Sequence, residues 1–533
     1  MKKIFRGLTL GLACLSAVGL TACFEYEEAV INLDVDLNQK IELNTLYPNS
    51  GMANTEFQSS RTTRYFEELT GYKVTYEQAL DNQTTIVGNI LLDQQPYHML
   101  KLESGTYMAM VGDQNFVDLK PALEKYGQNI LKTVPKEAWD AVTQDGKIYA
   151  IPEIGFGQML GSALVWNMRQ LNEVGITKVP ETFTEVTDAF YALKNHFRTE
   201  LGNEQYYAFA MQSACAYIEP LAAAFDLNKD FYENSKGEVE HVMFHDKYDD
   251  YLSYLNSLVR NQIISVEWQG YSGTNVYSEM AKGNLGCGYL PYWYINNLVA
   301  SMATSSEYAS EEEARNSLGW SLTIKGDGSY GTSVQSVGKT LYYQSIGYYI
   351  TIPAHMAEYG AYVIDWIDQR ITDSAFEGYR LGDLGVHYEY TTSSDKDAIN
   401  VNIAGQDKYI KLLPAYNTDI LPTSMYQTAV NPKVAKELWI LSEQSYKCWK
   451  ILLDETDYDN IVGNAIAMAP YIQGWSEIDI SSRSKVITYE QKIINDRNDT
   501  LFNEDLAALR KLWSSNYWTA EVSANVQSWY KNK

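Results

Sequence analysis

Residues Lys40–Pro48 read KIELNTLYP, an alternation of apolar and polar side chains that fits a strand of a partly buried sheet. Arg61–Gly71 (RTTRYFEELTG) then has the spacing of an amphipathic helix, with a glycine where such a helix stops. Tyr72–Ala79 (YKVTYEQA) alternates again as a second strand, and Tyr97–Glu103 (YHMLKLE) as a third. Strand, helix and strand in close succession imply parallel pairing through right-handed crossovers, so an α/β fold is expected. In such sheets ligands collect beyond the carboxyl ends of the strands. That rule singles out Tyr47, Asn49 and the loop from Glu103 to Tyr107 as candidate ligand contacts.

The chain has 533 residues, more than one hydrophobic core usually organises, so two bodies are expected. Hydrophobic residues make up 45% and charged residues 20%, a balance that excludes general disorder. There are 42 Tyr and 12 Trp against 15 Phe, so most rings carry a polar handle suited to wet contact surfaces. The net charge is −25, from 42 Lys plus Arg and 67 Asp plus Glu, with no long basic run beyond the first residues. This excludes nucleic acid as a natural partner and disfavours electrostatic adhesion to anionic lipid.

The amino terminus offers another route to a membrane. Met1–Arg6 (MKKIFR) is basic, and Leu8–Leu20 is an apolar run too short to remain as a spanning helix. It ends at Leu20-Thr21-Ala22-Cys23, which resembles a bacterial lipobox. The resemblance implies that residues 1–22 are a signal peptide and that Cys23 carries a lipid. Residues 23–40, acidic and without a sustained period, then read as a tether on the extracytoplasmic face of the cell membrane. Cys14 lies inside the signal, while Cys215, Cys287 and Cys448 are too widely spaced for a disulfide framework or a CxxC metal site.

Reactive constellations are scarce. His241 and His245 have the spacing of a zinc-protease pair, but Val242 stands where that motif needs Glu. Asp34, Asp36 and Asn38, and likewise Asp226, Asn228 and Asp230, alternate like calcium ligands without the loop's required glycine. No nucleophile elbow, phosphate-binding loop or dinucleotide fingerprint stands out, so neither cofactor nor metal is expected. Paired carboxylates for glycoside hydrolysis stay open at this point, since their separation in space decides.

Gly286–Ile295 (GCGYLPYWYI) places four large rings around a proline. Pro291 follows a short strand where a central strand could not continue, so Tyr292 and Trp293 are expected at its carboxyl end as a stacking platform. Tyr289 or Tyr294 is the ring expected to turn into the core. Trp366, Trp439 and Trp513 lie in helical patterns and are also expected to be core.

Asp145–Asn195 carries a resemblance to the extracellular solute-binding proteins of bacterial carbohydrate ABC importers. The shared positions are Gly146, Lys147, Tyr149, Ile151 and Pro152, then Trp166 and Arg169, then Gly175, Pro180, Thr182, Phe183 and Glu185. Phe116–Ile130, Tyr248–Trp268, Tyr277–Tyr294 and Gly360–Tyr390 extend the likeness, the last toward the larger lipoprotein-type branch. Asn167 and Gln170 depart from the Arg-x-Asp often found after the tryptophan. The resemblance implies a periplasmic-binding-protein-like fold with two α/β lobes, residues 41–155 with about 346–405 and residues 156–345 with about 406–533, hinged around a ligand cleft. Glu153 and Trp166, on either side of the first crossing, and Tyr348, in the returning segment Ser345–Pro353 (SIGYYITIP), join the candidate ligand contacts. His387 is read as structural. The implied protein is a monomer that binds an oligosaccharide or related carbohydrate, delivers it to the permease subunits and performs no chemistry. A peptide or other polar-solute binder, an exported glycan-cleaving enzyme and a surface adhesin are the alternatives.

Overall fold

Ser60 accepts the backbone N–H of Thr63 at 3.1 Å, and Gly71 takes φ +74°, so the Arg61–Thr70 helix is capped at both ends. Phe66 from its inner face enters a core built under a sheet. The structure is a computed structural model that describes residues 29–532, except 50–52, 114, 155–161, 214–217, 228–229, 292–293, 306, 335–339, 342–345, 396–397, 404–405, 420–460, 463, 467–468 and 477.

The chain first lays down β1 (Glu42–Pro48), α1 (Arg61–Thr70), β2 (Lys73–Ala79), β3 (Met99–Glu103), α2 (Ser104–Met110) and β4 (Ile151–Ile154). It then builds β5 (Ser162–Asn167), α3 (Phe183–Leu193), β6 (Tyr207–Ala210), α4 (Tyr248–Arg260), α5 (Gly273–Ala281), β7 (Leu285–Pro291) and β8 (Leu318–Ser321). Next come β9 (Ile346–Thr351) and α6 (Gly360–Arg370), and the strands β10 (Tyr388–Tyr390), β11 (Ile399–Ile403) and β12 (Gln406–Leu412). Three helices, α7 (Asp479–Ile494), α8 (Asp499–Asn516) and α9 (Ala520–Lys531), stand near the end.

The first sheet has the order β2-β1-β3-β9-β4. Its β1, β2 and β3 are parallel, as the strand-helix-strand pattern predicts, whereas β9 runs antiparallel to both β3 and β4. A late segment has been inserted between early strands. The second sheet has the order β8-β5-β7-β6, with β7 parallel to β6 and β5 antiparallel to both β7 and β8. Both sheets are therefore mixed.

Burial follows the pleat. β5 sends Leu164 and Trp166 into one core and Ala163 and Val165 into another, so the second sheet is covered on both faces. A separate core gathers residues from Ile31–Ile151 and Ile346–Ile410 around the first sheet. β12 pairs with β10 and β11, and its Ile410 belongs to this first core. Residues from Ile466 to Val526 pack instead with the second sheet. Trp366 and Trp513 are core residues, and Trp439 lies outside the described residues. Among the described residues no helix is long and apolar enough to cross a membrane. Cys287 is a buried free thiol, while Cys14, Cys23, Cys215 and Cys448 lie outside the described residues.

Candidate functional site

The register of β3, β9 and β4 sets Glu103 opposite Tyr348 and Tyr348 opposite Glu153. Opposed residues on antiparallel neighbours share a face of the sheet, so the three form one row across three strands. Lys101, two residues before Glu103, shares that face. Because β4 and β3 both run against β9, the row lies at the edge where Glu103 and Ile154 end their strands. Strand ends place these groups together despite their distance in sequence.

Lys101 and Glu153 form the floor of this row. Their side chains are only 1% and 3% exposed, and Lys101 Nζ lies 2.6 Å from Glu153 Oε2. The Tyr348 ring covers the ammonium at 4.4 Å from its centroid, and Tyr47 lies at 6.0 Å. From α6, the Arg370 guanidinium stacks over Trp366 and adds a second buried positive charge nearby. Burial pushes the Glu153 carboxyl up to about 7, against the pull of Lys101 and Arg370. Burial also lowers Lys101 from its ordinary value, although Glu153 opposes this. Burial therefore works against the charged form of both partners, and the pair titrates as a unit.

Tyr348 is half-buried and Glu103 is exposed, so they are the parts of the row that a solute could touch. Burial raises the Tyr348 phenol, and Glu153 and Glu103 raise it further, which keeps the hydroxyl protonated as a hydrogen-bond donor. Glu153, closed off by Lys101, presents no free carboxylate to a glycosidic oxygen. A pair of carboxylates acting from opposite sides of a bond needs both to reach it. The row suits binding better than hydrolysis.

Three expected contacts are core rings instead. Tyr47 is fully buried between Phe57 and Tyr76, at centroid distances of 6.2 and 5.7 Å. Tyr107 stacks on Tyr349 at 4.1 Å, on the face opposite Tyr348. Trp166 is also fully buried, stacked on Phe190, with its Nε1 donating to Ser321 Oγ at 2.9 Å. The second sheet is covered on both faces, and the core of the first takes in Tyr47 and Tyr107, so a ring near a strand end can still be packed. Asn49 is exposed just past β1, with its Nδ2 3.5 Å from the Leu80 carbonyl. Asn167 and Gln170 have structural roles: Asn167 caps the Met168–Glu173 helix, and Gln170 donates to the Gly283 carbonyl at 2.9 Å.

Tyr292 and Trp293 lie outside the described residues. Pro291 is the last residue of β7 and pairs with Ser162, the first of β5. The chain leaves the first sheet at Ile154 and enters the second at Ser162, so the edge carrying Pro291 is the one linked to the Glu103–Tyr348–Glu153 row. Tyr289 is core, and Tyr294 is half-buried beside Tyr277. A small pocket lined by Tyr207, Phe209, Trp268, Tyr271 and Glu279 lies at the opposite, amino end of β6 and β7.

His241, His245 and His387 each accept a backbone N–H. His241 Nδ1 accepts the Met243 N–H at 3.2 Å, and burial lowers the ring to about 4. Among the described residues no group of three His, Cys, Asp or Glu side chains is placed to hold a metal ion. His387 is buried, and its Nδ1 accepts the Asp383 N–H at 2.8 Å. Sequence reasoning missed Lys101 and Arg370. The available signal for Lys101 was a single charge within the apolar run Met99–Leu102, all of it buried.

No family model and no curated relative matches the chain. Solved structures do. The Streptococcus pneumoniae ABC-transporter substrate-binding protein FusA, in complex with kestose, superposes with a TM-score of 0.64 at 14% identity, covering 92% of this chain and 99% of that one. The N-glycan transport solute-binding protein NgtS, also from S. pneumoniae, gives 0.58 at 13% identity, with 92% and 98% covered. An HMO-binding, ABC-transporter-associated solute-binding protein from Bifidobacterium longum infantis gives 0.60 at 13% identity, with 92% and 98% covered. At such identities the likeness establishes the fold, which is that of ABC-importer solute-binding proteins.

Proposed function

We propose that this chain is an extracytoplasmic solute-binding protein that captures an oligosaccharide between its two bodies and passes it intact to an ABC permease. The observation that carries the reading is the shared fold along nearly the whole chain with proteins whose named ligands are carbohydrates. The site chemistry supports it. Sugar rings offer C–H faces to aromatic surfaces and hydroxyls to polar acceptors. Tyr348, Glu103 and Asn49 would supply these groups from the first body, and Tyr292 and Trp293 from the second. A lipid on Cys23 would hold the protein at the membrane, since the acidic surface gives anionic lipid little to attract. Closure around a solute would draw its free energy from contacts made with both bodies at once.

A thermal-shift screen of the chain lacking residues 1–22 against glycans and peptides tests the reading. A true ligand at 100 times its dissociation constant adds about 2.7 kcal/mol of stability. Stabilisation by glycans with no cleavage products supports it. Stabilisation by peptides alone, or release of smaller sugars, refutes it.

A further inference from the structure

β4 and β9 are the strands of the first sheet from which the chain departs to the second body and by which it returns. Beyond the backbone ladders, one side chain of β3 reaches a side chain of each. Lys101 on β3 holds β4 through the 2.6 Å contact with Glu153, and holds β9 through the Tyr348 ring at 4.4 Å. The lysine is 1% exposed, so no solute reaches it. A backbone ladder alone fixes strand order and register. The β4–β9 ladder runs on to Ile154 and Ile346, with a register shift between Ile346 and Tyr348 beside this row. A buried charge shared between their side chains couples those two ends, so that one cannot turn without disturbing the other.

We infer that Lys101 is a positioning residue of the hinge: by clamping Glu153 and Tyr348 together it sets the resting angle between the two bodies without touching the solute. The inference rests on the solute-binding reading only in assuming that the bodies move relative to one another. It assigns the control of that motion to a side chain within the first body.

The test measures the distance between spin labels carried by unnatural side chains at Leu92 and Leu501, both exposed, one in each body. The full-length chain in detergent is used without any solute. The expected result is that Lys101→Met displaces or broadens the distance distribution beyond that of the unsubstituted protein. Tyr348→Leu, which removes only the stack, should change it in the same direction by less. Should Lys101→Met fail to unfold cooperatively, Tyr348→Leu decides alone. A purely structural lysine would lower the melting temperature and leave the distances as they were, and that outcome overturns the inference. Because no sugar is present, this failure would leave the carbohydrate reading standing. Equally, a chain that binds no glycan could still show the shift.

Discussion

Lys101 Nζ and Glu153 Oε2 lie 2.6 Å apart, with both side chains almost wholly removed from water. Removing one member of a buried pair leaves the other uncompensated, at a cost of about 3–5 kcal/mol, whereas apolar replacement of both is far milder. Lys101→Met should therefore lower stability more than the double variant Lys101→Met/Glu153→Met. Urea denaturation of the three proteins measures this, and equal losses in the single and double variants would contradict it.

The same pair makes stability depend on pH. Burial raises the Glu153 carboxyl from the ordinary 4.5 to about 7, so between these values the folded chain keeps a proton that the unfolded chain has released. Its contribution is then largest below the lower value and is lost as pH rises through the upper one, on the order of 1 kcal/mol per pH unit in between. Glu490 and Asp496, raised to about 7 and about 6, chiefly by burial, act in the same sense. The difference between the unsubstituted protein and Glu153→Gln reports the titration of the Lys101–Glu153 pair. Melting temperatures across this range should fall less steeply with rising pH in Glu153→Gln.

Trp166 supplies a contrast with the expected site. Its indole N–H has Ser321 Oγ as partner at 2.9 Å, so Ser321→Ala should leave a buried donor unsatisfied and cost about 1–3 kcal/mol. Solute affinity should be unchanged in Ser321→Ala, because the ring is fully buried. A calorimetric titration showing a tenfold weaker affinity would return Trp166 to the site.

Gly288 lets α5 approach β7. A Cβ there would sit 2.7 Å from both Met280 Sδ and Val276 Cγ1. Gly288→Ala should destabilise the second body by about 1–3 kcal/mol through overpacking, read as an earlier urea midpoint. An unchanged midpoint would show that the helix can shift without cost.

Much of the fold was legible because its signals are local. The alternation in Lys40–Pro48 and Tyr72–Ala79 corresponds to β1 and β2, and Gly71 stops α1 as its position predicts. The antiparallel entry of β9 between β3 and β4 was not legible from those first strands, since pairing between distant segments leaves no local pattern. The site divided along the same line. Strand-end reasoning named Glu103, Glu153 and Tyr348, which share a row, and also Tyr47, Tyr107 and Trp166, which are buried. A strand's end says how far along a ring lies, and only the packing of both faces says whether it is covered. Lys101 was passed over because a charge in an apolar strand reads as an exception until its partner is located.

The proposed function depends on two bodies closing on a soluble carbohydrate. X-ray solution scattering of the chain lacking residues 1–22, with and without an oligosaccharide found to bind it, tests this most directly. The radius of gyration should be smaller in the presence of the sugar, with the sugar recovered uncut. An unchanged radius at saturation, or a shortened sugar, would contradict it.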